Sequence, residues 1–165
     1  MGLLYFQPMH GYDLHRFLEA NLGEIWRMSQ SQVYATLKRL EKKGLVIATR
    51  QPQEKRPDRS CFALTESGRT RFESWLFTPT PSSAHLIRVE FITRLFFTSQ
   101  MGEDVRSQVL QEQAAAIHLD LDLLQKRLGA LAPDQVFNRL GLELRLRQLL
   151  SISEWLSTCE LSLSE

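Results

Sequence analysis

The stretch SQSQVYATLKRLEKKGLV, residues 29–46, constrains the fold more than any other part of the chain. Its apolar residues Val33, Leu37 and Leu40 fall at steps of four and three, the spacing of a helix that buries one face only. Ser29 reads as the N-cap, with Gln32 three residues on as its capping-box partner. Gly44 supplies the left-handed residue that stops the helix just before an apolar, β-branched run. The other side of the wheel presents Ser31, Gln32, Ala35, Lys38, Arg39 and Lys42, which are small, polar or basic.

The flanking sequence gives this helix its neighbours. Upstream, LLYF is a short apolar helix ended by Gln7-Pro8. HGYDLHRFLEANLG then places Tyr12, Leu14, Phe17, Leu18 and Leu22 at helical spacing, with Gly23 as a stop. Downstream, 45–49 and 60–64 are apolar ends around a polar centre with two prolines, a hairpin with a long basic tip. Thr65 caps a further helix with Phe72, Trp75 and Leu76 inward. The predicted order is helix, helix, helix, strand, strand, helix, and Gly11 allows the second helix to start close to its neighbour.

Texture changes at FTPTPSSAH, where prolines and small polar residues break the pattern, so a boundary is expected near 78–83, between parts 1–78 and 79–165. The second part reads as three helices. In the first, Leu86, Val89, Ile92, Leu95 and Phe96 are expected on one stripe. In the second, Leu110, Ala114, Ile117, Leu121, Leu124, Leu128 and Leu131 step by 4, 3, 4, 3, 4, 3, an a/d heptad seam. After Pro133-Asp134 the last run carries Phe137, Leu140, Leu144, Leu149, Ile152, Trp155 and Leu156, apolar on more than one face. The fold class expected is mainly α, a winged helix-turn-helix with a two-stranded wing followed by a three-helix dimerisation region.

Charge separates the two parts. Residues 1–77 hold 12 Lys/Arg against 8 Asp/Glu, while residues 78–165 hold 8 against 11. Within 38–71 the imbalance is 10 to 4, a clustered positive charge of the kind that attracts polyanions. No apolar run reaches the roughly 18 residues of a membrane span and no signal-peptide pattern opens the chain, so a cytoplasmic protein without a membrane partner is expected. Cys61 and Cys159 have no cysteine or histidine at ligand spacing and read as packing residues. His10, His15, His85 and His118 form no i, i+4 pair, and no phosphate loop, nucleophile elbow or paired carboxylates are found. No catalytic residue, metal or cofactor is therefore expected, and the chain does not read as an enzyme.

The helix at 29–46 suits insertion into a DNA major groove. Small residues permit close approach, Gln32 and Arg39 can reach base edges, and lysines neutralise phosphate. The segments PMHGYDLHRFLE, SQSQVYATLKRLEKKGLV and RPDRSCFALTESGR resemble the PadR-type winged-helix transcriptional regulators. The resemblance rests on Gly11, Tyr12 and Leu14; on Val33, Tyr34, Leu37, Leu40, Glu41, Gly44 and Leu45; and on Arg59, Phe62, Leu64, Thr65 and Gly68. It covers residues 3 to about 76, and LIRVEFITRLFF is similar, over a shorter span, to the start of the family's helical C-terminal region. Phe62 stands where the family more often has tyrosine, and the family's first helix usually begins several residues earlier.

The resemblance implies double-stranded DNA as partner, a homodimer, and most often repression. Gln32 and Arg39 are expected on bases, Ser31, Tyr34, Lys38 and Lys42 on phosphate, and Lys55, Arg56 and Arg59 on the wing. Dimerisation is expected through Leu110, Ala114, Ile117, Leu121, Leu124 and Leu128 of the seam and Leu149, Ile152 and Leu156 of the last helix. A two-fold dimer would face a palindromic operator with half-sites roughly 34 Å apart. Some family members sense small, often aromatic, effectors. Here Trp26, Trp75, Trp155 and the nine phenylalanines have core packing as their default role. Two alternatives stay open: a winged-helix and coiled-coil protein-interaction module that does not bind DNA, and a regulator gated by a small aromatic effector. Salt separates the first from DNA binding, because phosphate contacts weaken steeply with ionic strength.

Overall fold

A computed structural model describes residues 1–51 and 59–163. The chain is mainly helical and forms two compact units, Met1–Thr78 and Pro79–Glu165. The first unit is a winged helix-turn-helix built from α1 (Gly2–Phe6), β1 (Met9–His10), α2 (Gly11–Leu22), α3 (Gln30–Lys42), β2 (Val46–Gln51), β3 (Arg59–Leu64) and α4 (Glu66–Leu76). Its antiparallel sheet has the order β1-β3-β2, with Val46 opposite Leu64 and Gln51 opposite Arg59. The expected hairpin is thus joined by a third strand, in which Met9 faces Phe62 and His10 faces Cys61. Two residues carry no period, so nothing in the local sequence marks β1; the exposed edge of β3 recruits them.

Leu3, Leu4, Leu14, Leu22, Val33, Leu37, Val46, Phe62, Phe72 and Leu76 are buried in this unit. Leu40 and Trp75, expected inward, are half-buried. Tyr12 departs further. It is 50% exposed, with the Arg16 guanidinium over its ring at 5.9 Å. At the other end of the unit, the Tyr5 hydroxyl donates to Glu73 Oε1 at 2.9 Å and the Arg69 guanidinium lies 4.4 Å from the Tyr5 ring centre. Burial, then the bond to Glu73, pushes the Tyr5 phenol up from its ordinary range. These contacts tie α1 to α4.

The second unit contains α5 (Ala84–Leu86), a π-helical segment (Ile87–Phe91), α6 (Ile92–Thr98), α7 (Glu103–Gly129) and α8 (Val136–Ser162). The π-helical turn changes the expected stripe. Ile87, Phe91 and Leu95 are buried, together with Arg94 and Thr98, whereas Leu86, Val89, Ile92 and Phe96 are only partly covered. A wider turn rotates every following side chain relative to α-helical spacing, so the inward face moves to different residues.

α7 and α8 form an antiparallel hairpin. Arg106 Nη1 donates to the Leu163 carbonyl at 2.9 Å near one end, Ser153 and His118 approach at 3.4 Å in the middle, and Arg139 Nη2 donates to the Leu131 carbonyl at 3.4 Å near the turn. The core between them holds Leu110, Ile117, Leu121, Leu124, Leu149, Leu156 and Cys159 buried, with Ala114, Leu142, Leu146, Ile152 and Trp155 packed against it. Phe91 meets Trp155 edge to face at 6.3 Å.

This packing places the residues expected at a dimer contact against one another within the chain. Leu110, Ala114, Ile117, Leu121, Leu124, Leu149, Ile152 and Leu156 belong to the chain's own core, and Leu128 is half-buried. A heptad seam specifies that a partner helix is present but not whose it is; here α8 of the same chain occupies it. Among the described residues of this unit, the large apolar side chains left exposed are others: Leu119, Leu123, Val136, Phe137, Leu140, Leu144, Leu150 and Leu163, with Phe137 at 87% exposure. Phe137, Leu140 and Leu144 lie at i, i+3 and i+7 and so share one face of α8.

Candidate nucleic-acid interface

The recognition-helix candidate α3 is fixed at both ends by its own residues. At the start, Gln32 N–H donates to Ser29 Oγ at 3.3 Å while Ser29 N–H donates to Gln32 Oε1 at 2.8 Å, a complete capping box. At the end, Leu45 N–H donates to the Leu40 carbonyl at 3.0 Å and Gly44 N–H to the Glu41 carbonyl at 2.9 Å. These are the two bonds of a Schellman motif, with Gly44 at φ +68° in the left-handed position.

Thr65 couples this end of α3 to α4. Its hydroxyl donates to the Gly44 carbonyl at 2.7 Å and accepts from Gly68 N–H at 3.1 Å, and its own N–H donates to the Leu45 carbonyl at 3.2 Å. A Cβ at position 68 would collide with that Leu45 oxygen. The Thr-x-x-Gly spacing therefore records a place where α4 must start against backbone already committed to a hydrogen bond.

The face of α3 turned from the core carries Ser31, Ala35, Lys38, Arg39 and Lys42, all exposed. Ser31 Oγ lies 2.9 Å from Ser29 Oγ. Gln32 is exposed too, but its Oε1 is engaged in the capping box. Bidentate reading of adenine uses both the carbonyl and the NH₂ of an amide, so Gln32 can make that pair only by giving up the cap. Its two expected roles compete, so of the two side chains expected on bases, Gln32 and Arg39, only Gln32 is drawn into the cap.

Tyr34 is half-buried, its ring against the first residue of α2. A Cβ at Gly11 would stand 2.6 Å from the ring Cε1, so the glycine makes room for the tyrosine. Lys55 and Arg56 lie outside the described residues. Arg59 opens β3 opposite Gln51, which places its backbone at the base of the wing. Sequence reasoning passed over Arg50, exposed on β2 opposite Ser60, and Lys43, exposed at the α3 C-cap. Strand register was the available signal for Arg50, because it stands just before the wing tip. Among the described residues no cluster of three His, Cys, Asp or Glu has the arrangement to hold a metal ion, and no helix is long and apolar enough to cross a membrane.

The glycine, threonine and capping positions that shape α2, α3, the sheet and α4 fall in a segment with known relatives: residues 1–74 match the Transcriptional regulator PadR-like family. Over these residues the chain is similar to the PadR-like family. The family consists of transcriptional regulators, not enzymes. Among curated relatives, the Negative transcriptional regulator PadR of Bacillus subtilis is 26% identical over 125 residues, covering 76% of this chain and 68% of that protein. A Mycobacterium tuberculosis protein described as a transcriptional regulator, Rv1176c, is 34% identical over 73 residues, 44% of this chain and 39% of its own length. Among solved structures, Bacillus subtilis PadR in complex with operator DNA shares 25% identity, with a TM-score of 0.46 over 98% of this chain and 95% of that one. The PadR-like match ends within α4, so it leaves the second unit unassigned.

Proposed function

We propose that this PadR-like regulator is a sequence-specific repressor that binds a palindromic operator as a homodimer. The observation that carries the reading is the exposed face of α3, where Ser31, Ala35, Lys38, Arg39 and Lys42 project from a helix capped at both ends. Small residues at its centre permit groove entry and the cations at its edges meet phosphate. Repression follows the relative whose name is a negative transcriptional regulator.

In this reading Arg39 contacts a base, Ser31, Lys38 and Lys42 contact phosphate, and Lys55, Arg56, Arg59 and the additional Arg50 serve the wing. Dimerisation belongs to the 79–165 unit. Its contact face is assigned to Phe137, Leu140 and Leu144 rather than to the heptad seam, since an exposed apolar stripe marks an interaction surface and a filled seam does not.

The test is a fluorescence titration of the protein with its own promoter fragment and a scrambled duplex, each at two salt concentrations. Tight, salt-sensitive and promoter-preferring binding is expected. Arg39→Ala should cost about 1–3 kcal/mol at the cognate site and little on the scrambled duplex. Equal weakening on both would make Arg39 a phosphate contact. Sedimentation of the Phe137→Asp, Leu144→Asp double variant should show a monomer that keeps its helical circular dichroism; an unchanged dimer would move the interface elsewhere.

A further inference from the structure

The peptide group between Met28 and Ser29, just before α3, is held from both sides. Its carbonyl, on Met28, lies 2.9 Å from His15 Nε2, and its N–H, on Ser29, donates to Gln32 Oε1 at 2.8 Å. A carbonyl oxygen only accepts, so Nε2 carries the proton and His15 donates. One of these side chains belongs to α2 and the other to the first turn of α3. The remaining backbone groups of the two residues are engaged as well. Met28 N–H donates to the Trp26 carbonyl at 3.1 Å, and the Ser29 carbonyl accepts from Val33 N–H at 3.1 Å.

His15 stands in a row of α2 that an apolar residue would suit. Gly11, His15, Leu18 and Leu22 fall at i, i+4, i+7 and i+11 and share one face of the helix. Gly11 abuts the Tyr34 ring of α3, and Leu22 is 3% exposed. A half-buried histidine in that row forgoes apolar burial and supplies a donor instead, directed at the residue before the N-cap of α3. The Arg27–Glu24 pair of the same turn, at 3.4 Å and well exposed, contributes little to holding it. Helix-turn-helix proteins read bases with the N-terminal part of their second helix, so the direction in which the chain enters α3 decides where its side chains arrive. A clamp on the entering peptide supplies, in the free protein, order that binding would otherwise have to create.

We infer that His15 and Gln32 are positioning residues for operator recognition, jointly orienting the Met28–Ser29 peptide and with it the first turn of α3, and that Gln32 does not read a base. The inference rests on the DNA-binding reading above and makes no use of the dimer.

The experiment titrates the promoter fragment and the scrambled duplex with wild type, His15→Leu, His15→Gln, Gln32→Met and the double variant His15→Leu, Gln32→Met, where circular dichroism shows each to be folded. His15→Leu and Gln32→Met should each weaken promoter binding about tenfold, the scale of one hydrogen bond left unmade, and leave the scrambled duplex nearly unchanged. The double variant should lose no more than about tenfold, because releasing either side frees the same peptide. His15→Gln keeps an amide donor and should recover most of the loss. Without DNA, hydrogen exchange at the Ser29 amide should quicken in His15→Leu, although His15 bonds the other end of that peptide. Losses that add to about a hundredfold in the double variant would overturn the inference and leave DNA binding in place. So would a folded His15→Leu that melts earlier yet binds as wild type does. Single-base substitutions across the promoter fragment test Gln32 alone, should His15→Leu fail to fold. Gln32→Met should weaken all of them alike, and lost discrimination at one base pair would make Gln32 a base reader and overturn the inference. A wild type without preference for the promoter would overturn the DNA-binding reading and the inference with it.

Discussion

The two units are held in place by different kinds of interaction. In the first, position is set by backbone hydrogen bonds at individual residues: Ser29 and Gln32 start α3, Gly44 ends it, and Thr65 with Gly68 seats α4 against the Leu45 carbonyl. In the second, long helices are aligned by apolar faces, and polar specificity is concentrated in one buried cluster of Thr80, Arg94 and Gln113. The contrast teaches where each unit should be sensitive. The winged unit should fail at single special positions, and the helical unit should fail where volume is lost.

Replacing Ile117, 0% exposed in the α7–α8 core, by alanine should have the largest effect, about 4 kcal/mol from lost transfer energy and the cavity left behind. Denaturant unfolding should show that loss in the transition of the helical unit. If the transition of the winged unit falls equally, the two are one cooperative body and the contrast is broken.

Gly68→Ala should come next, at about 3 kcal/mol, because the added Cβ meets a carbonyl oxygen already held by Thr65 N–H and neither side can yield cheaply. The loss should appear in the winged unit and spare the helical one. A cost near zero would mean that α4 can retreat without consequence, and the position-by-position account of the first unit would not stand.

Ser29→Ala should be the mildest, about 1 kcal/mol from an unsatisfied N-terminal amide. It sharpens the comparison in a second way, since it removes the Oγ that Gln32 N–H uses and loosens the hold on the Gln32 side chain. Hydrogen exchange at the first turn of α3 should accelerate, with amides of α7 unchanged.

Much of the winged unit was readable before any coordinates because its determinants are local. Ser29 and Gly44 act on backbone within a few residues, as does Thr65 where it accepts from Gly68 N–H, so residue type and spacing were enough to place the ends of α3 and the start of α4, whereas the bonds from Thr65 to the Gly44 and Leu45 carbonyls are long-range. The strand β1 was not readable, because two residues become a strand only through pairing with β3, some fifty positions away. Gln32 shows a subtler limit. Its type and position suited both a cap and a base contact, and only the conformation shows that the cap holds the carbonyl.

In the helical unit the pattern was legible and its consequences were not. The seam from Leu110 to Leu128 identified a helix with one buried side, but periodicity describes a face and not its partner. The hairpin turn brings α8 back along α7, so Leu149, Ile152 and Leu156 fill that face from within. The stripe of the preceding helix was misread because the π-helical turn at Ile87–Phe91 changes the rotation per residue, and spacing rules assume a constant one. By itself, the sequence determined most of the elements, the caps of α3 and α4 and the likeness to a winged helix-turn-helix family, since these follow largely from steric and hydrogen-bonding choices between near neighbours. Tertiary structure alone decided which helix covers the seam, which apolar residues stay exposed, and that Arg94, Gln113 and Thr80 meet. Those outcomes depend on contacts between residues far apart in the chain, whose free energy is set by packing and desolvation that no local spacing encodes.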